Sequence, residues 1–187
     1  MYKSKLSYGI ILLFYRFILK FNNCDRIKYK IDLLQYNRMK FKYSQMGVTM
    51  GDNTVFYSVK VSRSNKGDKF FVGDNCVLTG CMLLGHDASP ALFIPELQNH
   101  KEVFKRGARK SYVNPIRIGN NVFIGVGSII MPGIIIGDNV VIAAGAVVTK
   151  DVENNSVMAG NPARFIKTTE DFIEKYYEVL KNNRDKF

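Results

Sequence analysis

Histidine occurs only twice in this sequence, as His86 and His100, and tryptophan not at all. Two histidines cannot build a three-histidine zinc centre within one chain, and no metal site is expected. Cysteine is nearly as sparse: Cys24, Cys76 and Cys81 form no CxxC pair and leave one thiol unmatched. That argues against a disulfide or zinc framework and fits a reducing compartment, with the protein in the cytoplasm or peripheral at the inner face of the membrane. Long apolar runs are missing too. The longest candidate, "YGIILLFYRFILKF" from Tyr8, is too short to span a bilayer, and no small-residue cleavage site follows it. Acidic residues are few, 16 against 27 Lys and Arg, for a net charge of +11. The excess is uneven: residues 1–42 hold ten cations against Asp25 and Asp32, which is +8 and leaves +3 for the remainder. A basic chain can bind nucleic acid, but no RNA- or DNA-binding motif is present, so no nucleic acid is expected. Two readings of the basic start stand level. On a helix, Lys5, Arg16 and Lys20 share one side while Ile10, Phe14, Phe17 and Phe21 lie on another, which suits an anionic membrane surface. Alternatively the helix packs on the rest of the protein or a neighbouring subunit, with its cations in solvent.

What the sequence has in abundance is a period. In "IRIGNNVFIGVGSIIMPGIIIGDNVVIAAGAVV", Ile118, Ile124, Ile130, Ile136, Ile142 and Val148 stand six apart without a gap. Mostly small residues follow them: Gly119, Gly125, Met131, Gly137, Ala143 and Thr149. Two places before each stand Ile116, Val122, Ser128, Ile134, Val140 and Ala146. A helical period of about 3.6 does not fit, and glycine inside a helix is costly. Short strands separated by turns do fit, because positions two apart share a face. Hexapeptide repeats of this kind mark parallel β-helices, each repeat being one flat side of a coil. Upstream, Val72, Leu78 and Leu84 keep the phase, and Met50 and Phe56 suggest an earlier start with "SRSNKGD" pushed out as a loop. Cys76 falls on a small inward position, as buried filler. From Leu84 to Ile118 is 34 positions, not a multiple of six, so the chain leaves the coil over about 89–115. Long excursions of this sort are usually functional or disordered. One domain with terminal additions suits 187 residues.

The stretch "PIRIGNNVFIGVGSIIMPGIIIGDNVVIAAGAVVTKDVENNSVMAGNPARFI" resembles the hexapeptide-repeat acetyltransferases, in particular the galactoside, maltose, xenobiotic and polysaccharide O-acetyltransferase group. The likeness covers Met50 to Lys167, is strongest from Asn114 onward, and is weak over the first 45 residues. Phe123 departs from it, since many members place tryptophan there. The resemblance implies an all-β, left-handed parallel β-helix with an extruded loop and helical segments at both ends. Residues 1–45 form the N-terminal helical segment, 46–167 the coil with its excursion, and 168–187 a C-terminal helix. It further implies a homotrimer that binds acetyl-CoA between subunits.

His86, in "LLGHDASP", sits where the chain leaves the coil, and matches the family's catalytic histidine. Its implied role is general base toward an acceptor hydroxyl, a task suited to an imidazole that titrates near neutrality. Asp87 could orient that ring, contact the sugar, or serve only as a turn aspartate. His100 is expected to face solvent in the excursion. The run Lys101, Lys105, Arg106, Arg109 and Lys110 could attract an anionic acceptor or CoA phosphates, or be a solvated loop face. For the donor, the resemblance implies backbone contacts from Val126 and Ala144 to the pantetheine arm, with Thr149, Lys150, Arg164 and Lys167 near the adenosine phosphates. Lysine and arginine suit phosphate. Together these imply an acetyl-CoA-dependent O-acetyltransferase acting on a saccharide, in surface polysaccharide biosynthesis. The alternatives are acetylation of an antibiotic hydroxyl, or a β-helix scaffold without activity. The relatives of this fold with a three-histidine zinc site, a large N-terminal helical domain or an N-terminal α/β domain lack counterparts here.

Overall fold

A computed structural model describes residues 5–21 and 24–187. The chain divides into two compact units, 1–45 and 46–187. In the first, α1 (Lys5–Phe21) and α2 (Asp25–Ser44) pack on each other, and Tyr8, Leu12, Ile31, Leu34 and Tyr43 are buried. The outer face of α1 is apolar: Ile10, Leu13, Phe14 and Phe17 are 59–68% exposed. Arg16 is exposed as well, while the side chains of Lys5, Lys20 and Phe21 lie outside the described residues.

The second unit is a coil with three flat sides. Its first turn is β1 (Val48–Met50), β2 (Val55–Tyr57) and β3 (Lys60–Val61). The next is β4 (Phe70–Val72), β5 (Val77–Thr79) and β6 (Met82–Leu83). The chain then makes an arm based on β7 (His86–Asp87) and β8 (Tyr112–Val113). It resumes with β9 (Ile116–Ile118), β10 (Phe123–Ile124) and β11 (Ile129–Ile130), then β12 (Ile135–Ile136), β13 (Val141–Ile142) and β14 (Val147–Val148). Last come β15 (Ser156–Ala159) and β16 (Arg164–Thr168). The first side is β1-β4-β9-β12, the second β2-β5-β10-β13-β15-β16, and the third β3-β6-β11-β14. All pairs are parallel except β15–β16 and β7–β8. Consecutive strands therefore take the three sides in turn, and each six-residue repeat is one side.

Register explains the period. Val72, Ile118 and Ile136 stack on the first side, Leu78, Ile124 and Ile142 on the second. The six aliphatics from Ile118 to Val148 are at most 5% exposed, and the residues two before each are buried beside them. Each valine or isoleucine among them contributes about 1.5–3 kcal/mol by leaving water. On the third side the inward residue of the second turn is Leu83, not Leu84; it stacks on Val61 and Ile130. The corner before it is one residue shorter than later ones, with Gly80 at φ +49°. In the next two turns the additional corner residue, Val126 or Ala144, projects outward and is exposed. Gly80 opposes Val126, and a Cβ there would meet Val126 Cγ2 at 2.8 Å.

The corner between the first and second sides is built from asparagine. Asn53, Asn75, Asn121, Asn139 and Asn155 all have φ between 51° and 56°. Asparagine tolerates this left-handed region better than other side chains. Each carboxamide nitrogen donates to the next oxygen at 2.8–2.9 Å, giving an unbroken ladder. Before the first four of them the glycine two places earlier makes room: a Cβ on Gly73 would meet Asn120 Oδ1 at 2.5 Å and Gly119 O at 2.6 Å.

The excursion is not structureless. His86 and Asp87 pair with Val113 and Tyr112, so it departs and closes as an antiparallel pair, with 3₁₀ turns at Ser89–Leu92 and Pro95–Leu97. At the other end, α3 (Thr169–Asn182) starts from a capping box in which the Asp171 N–H donates to Thr168 Oγ1 at 3.1 Å. Cys76 and Cys81 are buried and Cys24 half-buried, all as free thiols. Burial pushes the Cys81 thiol up to about 12, which makes it a poor nucleophile.

Candidate active site

The site begins where β6 ends. The Leu84 N–H still donates to Ile130 O in the ladder at 2.9 Å, but the next N–H, of Gly85, turns to Ser62 Oγ at 2.8 Å. Glycine is required there, because a Cβ would meet Asp68 Cβ at 2.7 Å and the Phe70 ring at 3.0 Å. The loop between β3 and β4 is thereby pressed against the coil's exit. It brings Asp68, which is 4% exposed, to His86.

A directed chain of hydrogen bonds follows. Ser62 Oγ accepts from the Gly85 N–H and donates its own proton to Asp68 Oδ2 at 2.5 Å. The same Oδ2 lies 2.7 Å from His86 Nδ1. Burial alone would push the Asp68 carboxyl up. Hydrogen bonds from Ser62, Ser64 and His86, with the charge His86 can carry, outweigh it and hold the group below its ordinary value. An ionised Asp68 has no proton to give, so the proton between it and the ring belongs to Nδ1. The neutral ring is then the Nδ1–H tautomer, with its lone pair on Nε2.

Asp87 does something else. Successive residues of a strand point to opposite faces, and this carboxylate turns away from the ring. It accepts from the Ser89 N–H at 2.8 Å and from the Ser89 hydroxyl at 2.9 Å, and these bonds hold its carboxyl below the usual range. Orienting the ring, which the sequence allows to Asp87, falls geometrically to Asp68. Nothing in local spacing pointed to Asp68, since the pair is 18 residues apart and meets only across a turn of the coil. Its one signal was a carboxylate ending the loop "SRSNKGD".

His86 lines a cleft of about 310 Å³ together with Arg63, Lys66, Arg109 and Lys110. Arg109 Nη1 donates to His100 O at 2.6 Å, and Lys110 Nζ to Glu96 O at 3.0 Å. The basic run of the arm is thus divided. Arg109 and Lys110 reach the cleft, whereas His100, Lys101 and Arg106 are exposed and Lys105 pairs with Glu102 at 3.2 Å.

The donor-side candidates lie on other parts of the coil. Val126 and Ala144 occupy one column at the corner between the second and third sides, joined by the Gly145 N–H donating to Val126 O at 2.9 Å. Thr149 and Lys150 stand at the next corner, after β14, both exposed. Arg164 opens β16 beside Ala163, whose N–H donates to Val147 O at 2.8 Å; Lys167, further along β16, is half-buried opposite Val157. The chain therefore holds His86 and the Val126–Ala144 column on different edges, with the third side between them. Among the described residues no group of three His, Cys, Asp or Glu is placed to hold a metal ion.

Comparison with known proteins agrees with this architecture. The family described as the hexapeptide repeat of succinyl-transferase matches residues 115–150. Protein CapG of Staphylococcus aureus is 37% identical over 155 residues, covering 79% of this chain and 81% of CapG. The galactoside O-acetyltransferase of Escherichia coli is 42% identical over 106 residues, 57% of this chain but only 47% of that protein. Among solved structures, a galactoside acetyltransferase in complex with coenzyme A superposes with a TM-score of 0.51 at 25% identity, covering 91% of this chain and 82% of that one. A hexapeptide-repeat acetyltransferase of Vibrio cholerae, at TM-score 0.52 and 24% identity over 66% of this chain and 63% of its own, shares the fold. Coil, arm and relatives define an enzyme of the acyltransferase class. The chain belongs to the hexapeptide-repeat acetyltransferases.

Proposed function

We propose that this enzyme transfers the acetyl group of acetyl-CoA to a hydroxyl of a saccharide, in surface polysaccharide biosynthesis. The observation that carries the reading is the held imidazole: Asp68 fixes Nδ1–H, which leaves Nε2 as a base at the cleft. Nε2 takes the acceptor's hydroxyl proton while that oxygen bonds to the thioester carbonyl carbon. The tetrahedral adduct then collapses, the C–S bond breaks, and the imidazolium returns the proton to the departing sulfur. Products are the O-acetyl ester and the CoA thiol. Thiol release with purified enzyme, acetyl-CoA and a panel of glycans tests this; no glycan-dependent release overturns it.

The corner column suits the pantetheine arm. The N–H groups of Val126 and Ala144 have no hydrogen-bond partner among the described residues and can donate to its amide carbonyls. Because His86 and this column lie on different edges, a site that uses both needs a second copy of the chain, which supports a homotrimer of left-handed coils. Lys150, Arg164, Thr149 and Lys167 take the phosphate end. Replacing Lys150 and Arg164 together by alanine raises KM for acetyl-CoA about 10- to 100-fold with a smaller change in kcat, since charge-assisted ground-state contacts are lost. An unchanged KM in initial-rate measurements moves the donor site elsewhere.

The first unit takes the enzyme to an anionic membrane. Support comes from the exposed face of Ile10, Leu13, Phe14 and Phe17 with Arg16 on the same helix, and from the +8 of residues 1–42. Among the described residues no helix is long and apolar enough to cross a membrane. In liposome sedimentation the full chain pellets with phosphatidylserine vesicles but not with neutral ones, and less so as salt rises. The double variant Leu13→Ser, Phe14→Ser, altered only at exposed positions, stays in the supernatant. Equal pelleting of variant and parent, or none by either, removes the membrane reading.

A further inference from the structure

The cleft beside His86 has a property the transfer reaction does not require. It is strongly positive. Arg63, Lys66, Arg109 and Lys110 face it, against two carboxylates beside the ring: Asp68, whose Oδ2 is engaged by Ser62 and His86, and Asp87, engaged by Ser89. Four cations less two anions leave about +2 around a space of about 310 Å³. None of the four is paired with a carboxylate among the described residues. One donor there is buried and unspent: Arg109 Nε has no hydrogen-bond partner. A buried donor without a partner costs about 1–3 kcal/mol, so this N–H calls for an acceptor supplied from outside the chain. Arg109 is also held in place in advance, by its bonds to the carbonyls of His100 and Ala108 at 2.6 and 3.2 Å. A guanidinium fixed with one N–H unspent fits an oxyanion.

Two anions could fill it, the CoA phosphates or a charged group on the acceptor. Geometry separates them. If His86 is the base, the thioester carbonyl lies at Nε2, and the whole pantetheine arm intervenes between that carbon and the phosphates. Cations that share a small cleft with the ring itself therefore face the acceptor. Resting on the acetyl-transfer reading, we infer that the acceptor is an anionic saccharide, whose carboxylate or phosphate is bound by Arg109 with Arg63 and Lys66 at the rim. That contact positions a neighbouring hydroxyl against His86 Nε2. The two loops involved, between β3 and β4 and between β7 and β8, thus set specificity as well as hold the base.

The test uses acceptors matched except for charge: methyl glucoside, methyl glucuronide and glucose 1-phosphate. The expected result is a kcat/KM about 10- to 100-fold higher for one or both anionic sugars than for methyl glucoside, falling as salt rises. The double variant Arg63→Ala, Lys66→Ala, altered at exposed positions, erases most of that preference while KM for acetyl-CoA stays unchanged. Binding is read independently of turnover by titrating each sugar into the enzyme without acetyl-CoA and following the His86 ring signals by NMR. The glucuronide or sugar phosphate moves them at concentrations where the glucoside does not. If anionic sugars bind this way but no sugar is acetylated, the transfer reading fails and the anion site stands. If neutral and anionic sugars are acetylated equally, or the double variant leaves the preference intact, the anion site is wrong and the transfer reading stands. Displacement of bound glucuronide by adenosine 3′,5′-bisphosphate, with a raised KM for acetyl-CoA in the double variant, also overturns it, because the cations then belong to the donor.

Discussion

His86→Ala lowers turnover by about two to four orders of magnitude at saturating acetyl-CoA and acceptor, with the coil still folded. The loss is large because no second base can reach the hydroxyl: His100 is exposed out on the arm and Asp87 is spent on Ser89. The fold survives because the ring stands at the exit of the coil, half-buried, and the inward stack from Val72 to Val148 does not involve it. Thiol release measures the rate, and a thermal melt by circular dichroism measures the fold. His100→Ala, run beside it, stays near parental activity. Near-parental turnover in the His86 variant sinks the assignment.

Asp68→Asn is the second large effect. The substitution keeps the shape but places an amide where one carboxylate oxygen receives two protons, from Ser62 and from His86 Nδ1. If the amide N–H faces the ring, Nδ1 must accept, the ring proton moves to Nε2, and the base is lost. Turnover falls by about two to three orders of magnitude, while KM for both substrates changes little. A merely structural role would not move the ring tautomer. With two histidines in the chain, ¹⁵N spectra can assign it directly, and the variant shifts His86 from Nδ1–H to Nε2–H. An unchanged tautomer with reduced turnover rejects this account. Stability follows the same group. Asp68 is held below its ordinary value in the folded state, so its contribution is fully present above the unfolded value of about 3.9 and is lost as pH falls through the lower folded one. The parent's advantage over the Asp68→Asn variant in melting temperature is therefore full near neutrality and narrows in acid.

How far the sequence carried depended on the range of the interaction. The sides of the coil repeat every six residues, so the stack from Ile118 to Val148 could be read directly from spacing. Where a corner lost one residue, before Leu83, the count ran on to Leu84, because a shortened turn leaves no mark on composition. The asparagine corner was in plain view as "GDN", "GNN" and "ENN", but the small residue after each aliphatic drew the reading instead. His86 was legible because a lone histidine at an exit needs no partner to be noticed. Asp68 and Ser62 were not, since they meet it through a loop that looked like surplus length. Arg63 and Lys66 sit in that same loop, and only the folded arm shows that Arg109 and Lys110 share a cleft with them.

The asparagine ladder has a consequence for assembly. Amide stacking between flat, parallel rungs is the interaction that lets identical strands of separate molecules add to one another in fibrils. This coil therefore carries the means of its own polymerisation, and its last rung would be an invitation to a stranger. The chain closes that door by reversing direction: β16 runs antiparallel to β15, with a bulge between Val157 and Met158, and sets Arg164 and Lys167 along the edge. An antiparallel, irregular, charged border is a poor template for another parallel rung on that side. The segment that carries Arg164 and Lys167 is thus also what ends the second side of the coil.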